Sequence, residues 1–246
     1  MTASLAAVLA AHEDAAPRRA FAESVRSSDP ARAELVDRQL ELRELRRNGT
    51  TPDPALETAV RALVQRNGRA WAGPIAAMVD YFEFWGGFVE EIKLDATALL
   101  VSAGRLAKLA PIRHLSIRKL AGSAAAVAQL PILGQLASLD IGSSGISDSD
   151  LAALVASPRL AGLRLLRVLN NPNVTIAGLR AVGAANLPAL RFVESSRTDA
   201  PLVVRSEDWD GTVTELAWTR VRTTLVAELG HRPWLDAQVE PSLDTL

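Results

Sequence analysis

The segment Leu136-Ala137-Ser138-Leu139-Asp140-Ile141, continued by GSSGISDSDLAALVAS to Ser157, decides the reading of the fold. Its first, fourth and sixth residues are apolar. A strand sends successive side chains to opposite faces, so Leu139 and Ile141 share one face while Ser138, Asp140 and Gly142 share the other. Gly142 to Gly145 then mark a turn, and Leu151, Leu154 and Val155 recur at helical spacing behind Asp148, a residue suited to capping. The same apolar frame stands at Val89-Ile92-Leu94, Ile112-Leu115-Ile117, Leu163-Leu166-Val168, Leu187-Leu190-Phe192 and Val213-Leu216-Trp218. Successive first positions lie 23, 24, 27, 24 and 26 residues apart. One match to so loose a frame means little in an apolar chain, but a series at this interval indicates a repeated strand–turn–helix unit. Such a unit cannot bury its own apolar face and must stack on its neighbours.

The alternation also nominates an outward strand surface. The early strands place Lys93, His114, Arg118 and Asp140 on it, a mixture of charges. The middle strands add Leu165, Arg167 and Leu169, and the next adds Arg191 and Val193. Arg167 and Arg191 flanked by aliphatic residues suit a protein interface, where arginine is enriched, and point to a partner with an acidic surface. Six strands about 4.8 Å apart give a face of roughly 300–400 Å², against about 800 Å² per partner in a standard interface. The flanking loops or the N-terminal segment must therefore contribute.

GISDSDLAALVAS and NVTIAGLRAV resemble the repeats of ribonuclease-inhibitor-like leucine-rich-repeat proteins. The resemblance covers about Phe88–Trp218 and implies an α/β fold: a right-handed solenoid of about six repeats with a parallel sheet on its concave side. The asparagine ladder of that family departs here. Only Asn171 stands where it often has Asn or Cys, with Leu120, Ser144 and Ser195 elsewhere, which implies looser hydrogen bonding at the turns.

Residues 1–80 lack this period and read as a helical bundle. MTASLAAVLAAHEDA suits an amphipathic helix rather than a secretory signal, having no basic residue before its apolar stretch. Asp29-Pro30 and Asp53-Pro54 each open a helix, since Asp caps and Pro fits the first turn. Asn48-Gly49 and Asn67-Gly68 close them. LAAVLAAHEDAAPRRAFAESV followed by DPARAELVDRQLEL resembles the repeat-companion domain of myxobacterial-type bacterial proteins, which precedes leucine-rich repeats. Phe21-Ala22-Glu23-Ser24-Val25 lacks the tryptophan of that pattern. The resemblance implies an architecture and no activity: a companion domain over 1–80, a solenoid over 81–220 and a cap over 221–246. Trp71, Tyr81, Phe82, Phe84, Trp85 and Phe88 are expected to close the solenoid's first end. A hairpin at Asp210-Gly211 and the tail VAELGHRPWLD are expected to close the other.

Of 246 residues, 48% are hydrophobic and 22% charged, with a net charge of −1. That gives no global field for nucleic acid or an anionic membrane, and no apolar run is long enough to span one. Cysteine is absent, which excludes thiolate chemistry and suits a reducing cytoplasm. His12, His114 and His231 have no metal-ligand spacing. Phosphate-loop, zinc-protease and nucleophile-elbow motifs are lacking. Gly142-Ser143-Ser144-Gly145 lacks the Lys-Ser/Thr ending of a phosphate cradle, and no cofactor is expected. The expectation is therefore a non-catalytic scaffold or adaptor, monomeric or weakly self-associating. The alternative is an enzyme with Glu83, Glu90 and Glu91 as acid/base groups at the joint around Trp71–Glu91.

Overall fold

Gly86 and Gly87 both have positive φ (52° and 86°), as a two-residue type I′ hairpin turn requires. They join β1 (Tyr81–Trp85) to β2 (Phe88–Asp95) as an antiparallel pair. Beyond β2, four strands add in chain order, each parallel to the last: β3 (His114–Arg118), β4 (Ser138–Asp140), β5 (Leu165–Arg167) and β6 (Phe192–Glu194). The computed structural model describes residues 3–195 and 223–236. The fold is mixed α/β, built on one six-stranded sheet of order β1-β2-β3-β4-β5-β6.

This corrects the expected fold class. A right-handed leucine-rich-repeat solenoid of about six repeats was expected over 81–220, with its first strand frame at Val89. The first strand is instead Tyr81–Trp85, antiparallel to its neighbour, and the strand count and order do not show such a solenoid. The apolar frame reports a half-buried strand but not the direction or identity of the strand beside it. The frame Val213-Leu216-Trp218 and the turn at Asp210-Gly211 lie outside the described residues. The connections are also unequal. After β2 comes the 14-residue α5 (Ala96–Leu109), after β3 the four-residue α6 (Ala124–Val127), then α7 (Asp148–Val155) and α8 (Ile176–Ala184).

One face of the sheet meets these helices. Ile92, Leu94, Leu115, Ile117, Leu139, Leu166 and Val193 are buried there, with Leu99, Leu106, Leu151, Leu154 and Leu179 opposite them. At the ends of β4 and β5 the chain turns over buried polar side chains. Asn171 Nδ2 donates to the carbonyls of Ile141 (2.8 Å) and Val168 (3.1 Å) while its Oδ1 accepts from Ser144 N. Ser144 Oγ lies on the carbonyls of Ile117 and Ile141. A serine thus makes bonds that the sequence pattern would give to a second asparagine. Ser147, not Asp148, caps α7, in a capping box with Asp150. Asp148 instead accepts from Thr175 N and Gly178 N at the start of α8.

The N-terminal helices are α1 (Ala3–Ala10), α2 (Ala15–Val25), α3 (Pro30–Arg47) and α4 (Pro54–Ala72). Asp29 and Asp53 cap α3 and α4 through Arg32 N (3.0 Å) and Ala55 N (2.8 Å). Asn67-Gly68 does not end α4. Gly68 lies within the helix because a Cβ there would come 3.2 Å from Val64 Cγ1 and 3.5 Å from Phe84. Phe84 and Phe88 are buried at the joint with Trp71, and the Arg32 guanidinium sits 5.0–5.5 Å from the centres of all three rings. Burial pushes the Arg32 pKa down to about 10 against the pull of Asp29. Residues 223–229 are helical (α9), and α10 (Pro233–Asp236) contacts β6. Among the described residues no helix is long and apolar enough to cross a membrane.

The register of β1 and β2 shifts between Glu83 and Phe84. Glu83 pairs with Glu91 and Phe84 with Val89, which leaves Glu90 as the extra residue of a bulge. Alternation from Glu91 places Glu90 on the other side of the strand and inside the protein, where it meets Arg18 of α2 at 2.5 Å, both side chains fully buried. Arg18 also donates to the carbonyls of His12, Trp85 and Gly86, and Gln39 of α3 bridges Phe84 O and Gly87 N. The hairpin is thereby fastened to α2 and α3. A Cβ on Gly87 would stand 2.2 Å from Val36 Cγ2. Gly87→Ala is expected to lower stability by about 2–5 kcal/mol, from strained backbone and overpacking together. A urea unfolding midpoint equal to that of the wild type would contradict the turn geometry.

Candidate functional site on the open sheet face

Strand register arranges the face opposite the helices into rows. One row runs Tyr81, Lys93, Ser116, Asp140, Arg167 and Glu194; the next runs Glu83, Glu91, His114, Ser138, Leu165 and Phe192. Asp95 and Arg118 stand side by side beyond the first row.

Most charges in the first row and beyond it are answered locally. Arg118 pairs with Asp80 (2.7 Å) and Asp95 (2.9 Å), and Lys119 with Asp95. Arg167 Nε lies 3.2 Å from Glu194 Oε2. Asp140 accepts from Gly142 N at 2.8 Å and from Ser116 Oγ at 3.4 Å. Lys93 is exposed.

The second row passes from charged to apolar. His114 is only 3% exposed, with Nδ1 2.9 Å from Ser138 Oγ and its ring edge-on to Trp85. It is buried and not presented to a partner as the alternation suggested. Leu165 is wholly buried. Leu169, past the end of β5, is half-buried.

The arginine–aliphatic patch expected around Arg167 and Arg191 does not assemble. In β6, Phe192 pairs with Leu165 and Val193 with Leu166, so Val193 points to the helices and Phe192 to the open face. Arg191 precedes the strand, and its Nη1 donates to the carbonyls of Pro188 and Leu190. Phe192 and Val193 are both apolar, so period-two alternation cannot choose between the two registers, and a shift of one residue reverses every side chain.

What the face does bring together lies at its β1–β2 end. Glu83 and Glu91 are directly opposite across the antiparallel pair. Trp85 Nε1 donates to Glu91 Oε2 at 3.3 Å, and the Tyr81 hydroxyl donates to Glu83. Burial raises the Glu91 pKa above the usual carboxylate range, and the charges of Glu83 and Asp140 raise it further, against the Trp85 bond and Arg167. The Tyr81 phenol is likewise pushed up, first by burial and then by Glu83. Tyr81, Glu83 and Trp85 were not expected on a strand at all. The signal was present in FEFWGGFVEEI, two apolar-rich runs around Gly-Gly, which is a hairpin signature. Glu90, the third carboxylate of the suspected acid/base group, faces the opposite way. Among the described residues no group of three His, Asp or Glu could hold a metal ion. No protein-family model, curated protein or solved structure matches the chain.

A carboxyl whose pKa is higher folded than unfolded holds its proton more tightly in the native state. Glu91 therefore lowers stability as pH rises from about 4.5 through its raised folded value, and the penalty is complete above that value. Glu91→Gln is expected to be more stable than the wild type at pH 7–8, with the difference vanishing below about pH 4.5. Thermal unfolding of both proteins across that range checks this; a difference independent of pH would refute it.

Proposed function

We propose that the chain is a non-catalytic protein-interaction module whose open sheet face receives a basic side chain of a protein partner between Glu83 and Glu91. The supporting observation is the cross-strand pair of carboxylates framed by Tyr81 and Trp85. Like charges directly opposite in a sheet repel. An ammonium or guanidinium placed between them converts that repulsion into attraction, and the two rings offer cation–π faces beside it. A partly buried carboxylate with a raised pKa gains most from such a cation, because the ligand supplies what burial removed.

This replaces the acidic partner expected from Arg167 and Arg191, one of which is paired with Glu194 while the other bends back to its own loop. The face remains small against the roughly 800 Å² a partner usually covers, so contacts along α3 and the strand-end loops complete the interface. The rival acid/base reading has less support, because Glu90 is committed to Arg18 and Arg43 away from Glu83 and Glu91. A chain without cysteine suits the cytoplasm, where we place it.

Selection of a displayed random peptide library tests the proposal. Peptides recovered on the wild-type chain should be enriched in Lys or Arg. Glu83→Gln combined with Glu91→Gln should bind them at least tenfold more weakly, while Arg167→Glu with Arg191→Glu binds them normally. Affinity should fall on acidification through the raised Glu91 pKa, because the protonated carboxyl no longer attracts the cation. Enrichment of acidic peptides, or equal capture by the Glu83/Glu91 double variant, would refute it.

A further inference from the structure

A second feature lies where the chain enters β3 and β5, one residue before the row that carries Glu91, His114 and Leu165. The loop between α1 and α2 closes over the residues that enter β3 and β5, leaving a cavity of about 480 Å³. Two arginines frame it. Arg113 directly precedes β3 and Arg164 directly precedes β5, with β4, entered through Ala137, between them. Both guanidinium groups converge on one atom: Glu13 Oε1 accepts from Arg113 Nη2 at 2.9 Å and from Arg164 Nη2 at 2.6 Å.

Glu13 comes from the short loop between the two helices and is half exposed, whereas Arg113 is only 6% exposed. Arg113 is thus a buried part of the wall, Arg164 is a third exposed, and the Glu13 carboxylate is the most exposed of the three. Burial opposes ionisation of Glu13, and the bonds from Arg113 and Arg164 outweigh it, holding its pKa below the usual range. His12 beside it is kept from charging by burial, then by Arg113 and Arg18.

Two observations point to an occupant. Gln135 lines the cavity, and its Nε2 is buried with no hydrogen-bond partner. A buried donor left unpaired costs on the order of 1–3 kcal/mol unless something accepts from it. Gly134 and Gly162 also line the cavity, yet neither is required there by sterics. A Cβ on them would meet nothing nearer than 4.0 Å and 3.9 Å, and neither has positive φ. Their missing side chains keep the space open.

We infer that this cavity is a binding site for a small carboxylate, and that Glu13 occupies its two-arginine end as a tethered substitute until the ligand displaces it. Paired guanidinium groups match a carboxylate's shape and charge. The Gln135 amide donates to a second acceptor on the ligand, which favours a short dicarboxylate over a simple monocarboxylate. The displaced Glu13 side chain, already half exposed, turns to solvent. A short tether competes at an effective concentration in the millimolar range, so removing its charge should strengthen binding markedly.

Calorimetric titration of acetate, succinate and inorganic phosphate into the full chain tests this. Succinate should bind Glu13→Gln at least tenfold more tightly than it binds the wild type, and more tightly than acetate does. Adding Arg164→Gln should abolish that gain. Gly162→Leu, for which the backbone has room, should block succinate while leaving the unfolding midpoint unchanged. Should Glu13→Gln fail to fold, Glu13→Asp, too short to reach both arginines, carries the same expectation. Equal affinity of the wild type and the Glu13 variant would overturn the inference, and so would retention of the gain without Arg164. Phosphate binding tenfold more tightly than succinate would overturn the carboxylate assignment.

Discussion

The buried ion pair between Arg18 and Glu90 fixes the relation of everything else. Neither side chain reaches solvent, and their contact joins a helix near the N-terminus to the second strand of the sheet. Burying two charges costs several kcal/mol per ion, and the attraction between them seldom does more than cancel that cost. The pair is better understood as a register device. Arg18 also holds the carbonyls of Trp85 and Gly86, so it can be satisfied only when the hairpin turn sits against α2. Arg43 adds a second, longer contact to the same carboxylate, from 3.4 Å. Glu90 lies on the buried side because it alternates with Glu91 along β2, and the bulge leaves it without a cross-strand partner in β1.

Both proposed sites depend on that arrangement. Alternation along β2 sends the consecutive glutamates to opposite sides of the sheet. Glu90 is neutralised inside, and Glu91 is left opposite Glu83 outside. At its other end the Arg18 guanidinium binds the carbonyl of His12 at 2.6 Å. Glu13 follows immediately, so the anchor that locks the hairpin also sets the start of the loop that reaches Arg113 and Arg164. Losing Arg18 would release a buried carboxylate and loosen the loop over the cavity together.

The legible part of the fold was the part with one buried face. In β2 to β5 the apolar frames named the residues that pack against the helices, because burial of one face leaves a period-two record in the sequence. Asp29-Pro30 and Asp53-Pro54 marked helix starts for equally local reasons. The overall architecture was not legible. Which strand lies beside β2, and in which direction, is settled by two glycines with positive φ and by Arg18, 72 residues from its partner Glu90. Such long-range polar contacts leave no periodicity. The expected site suffered in the same way. Side-chain direction could be read for Lys93, Arg118, Asp140 and Arg167, but not that Arg118 and Arg167 would be paired with Asp80, Asp95 and Glu194, nor that His114 and Leu165 would be buried.

Recognition by a mixed-charge face depends on what its internal pairs leave over. Exposed pairs such as Arg118 with Asp80 contribute little to stability, about 0–1 kcal/mol, yet each occupies donors and acceptors that a partner would otherwise engage. On this face the arginines are spent on neighbouring carboxylates, while among the described residues Glu83 and Glu91 receive neutral donors from Tyr81 and Trp85. The cavity shows the converse: two arginines converge on one carboxylate oxygen of Glu13. In one case the protein lacks a cation and in the other it lends an anion. Each imbalance is held in place by rigid backbone, β1 paired with β2 in the first and the entries to β3 and β5 in the second. Neither can relax by moving its backbone apart, so a cation between Glu83 and Glu91, or a free carboxylate exchanging with Glu13, meets groups already held in position.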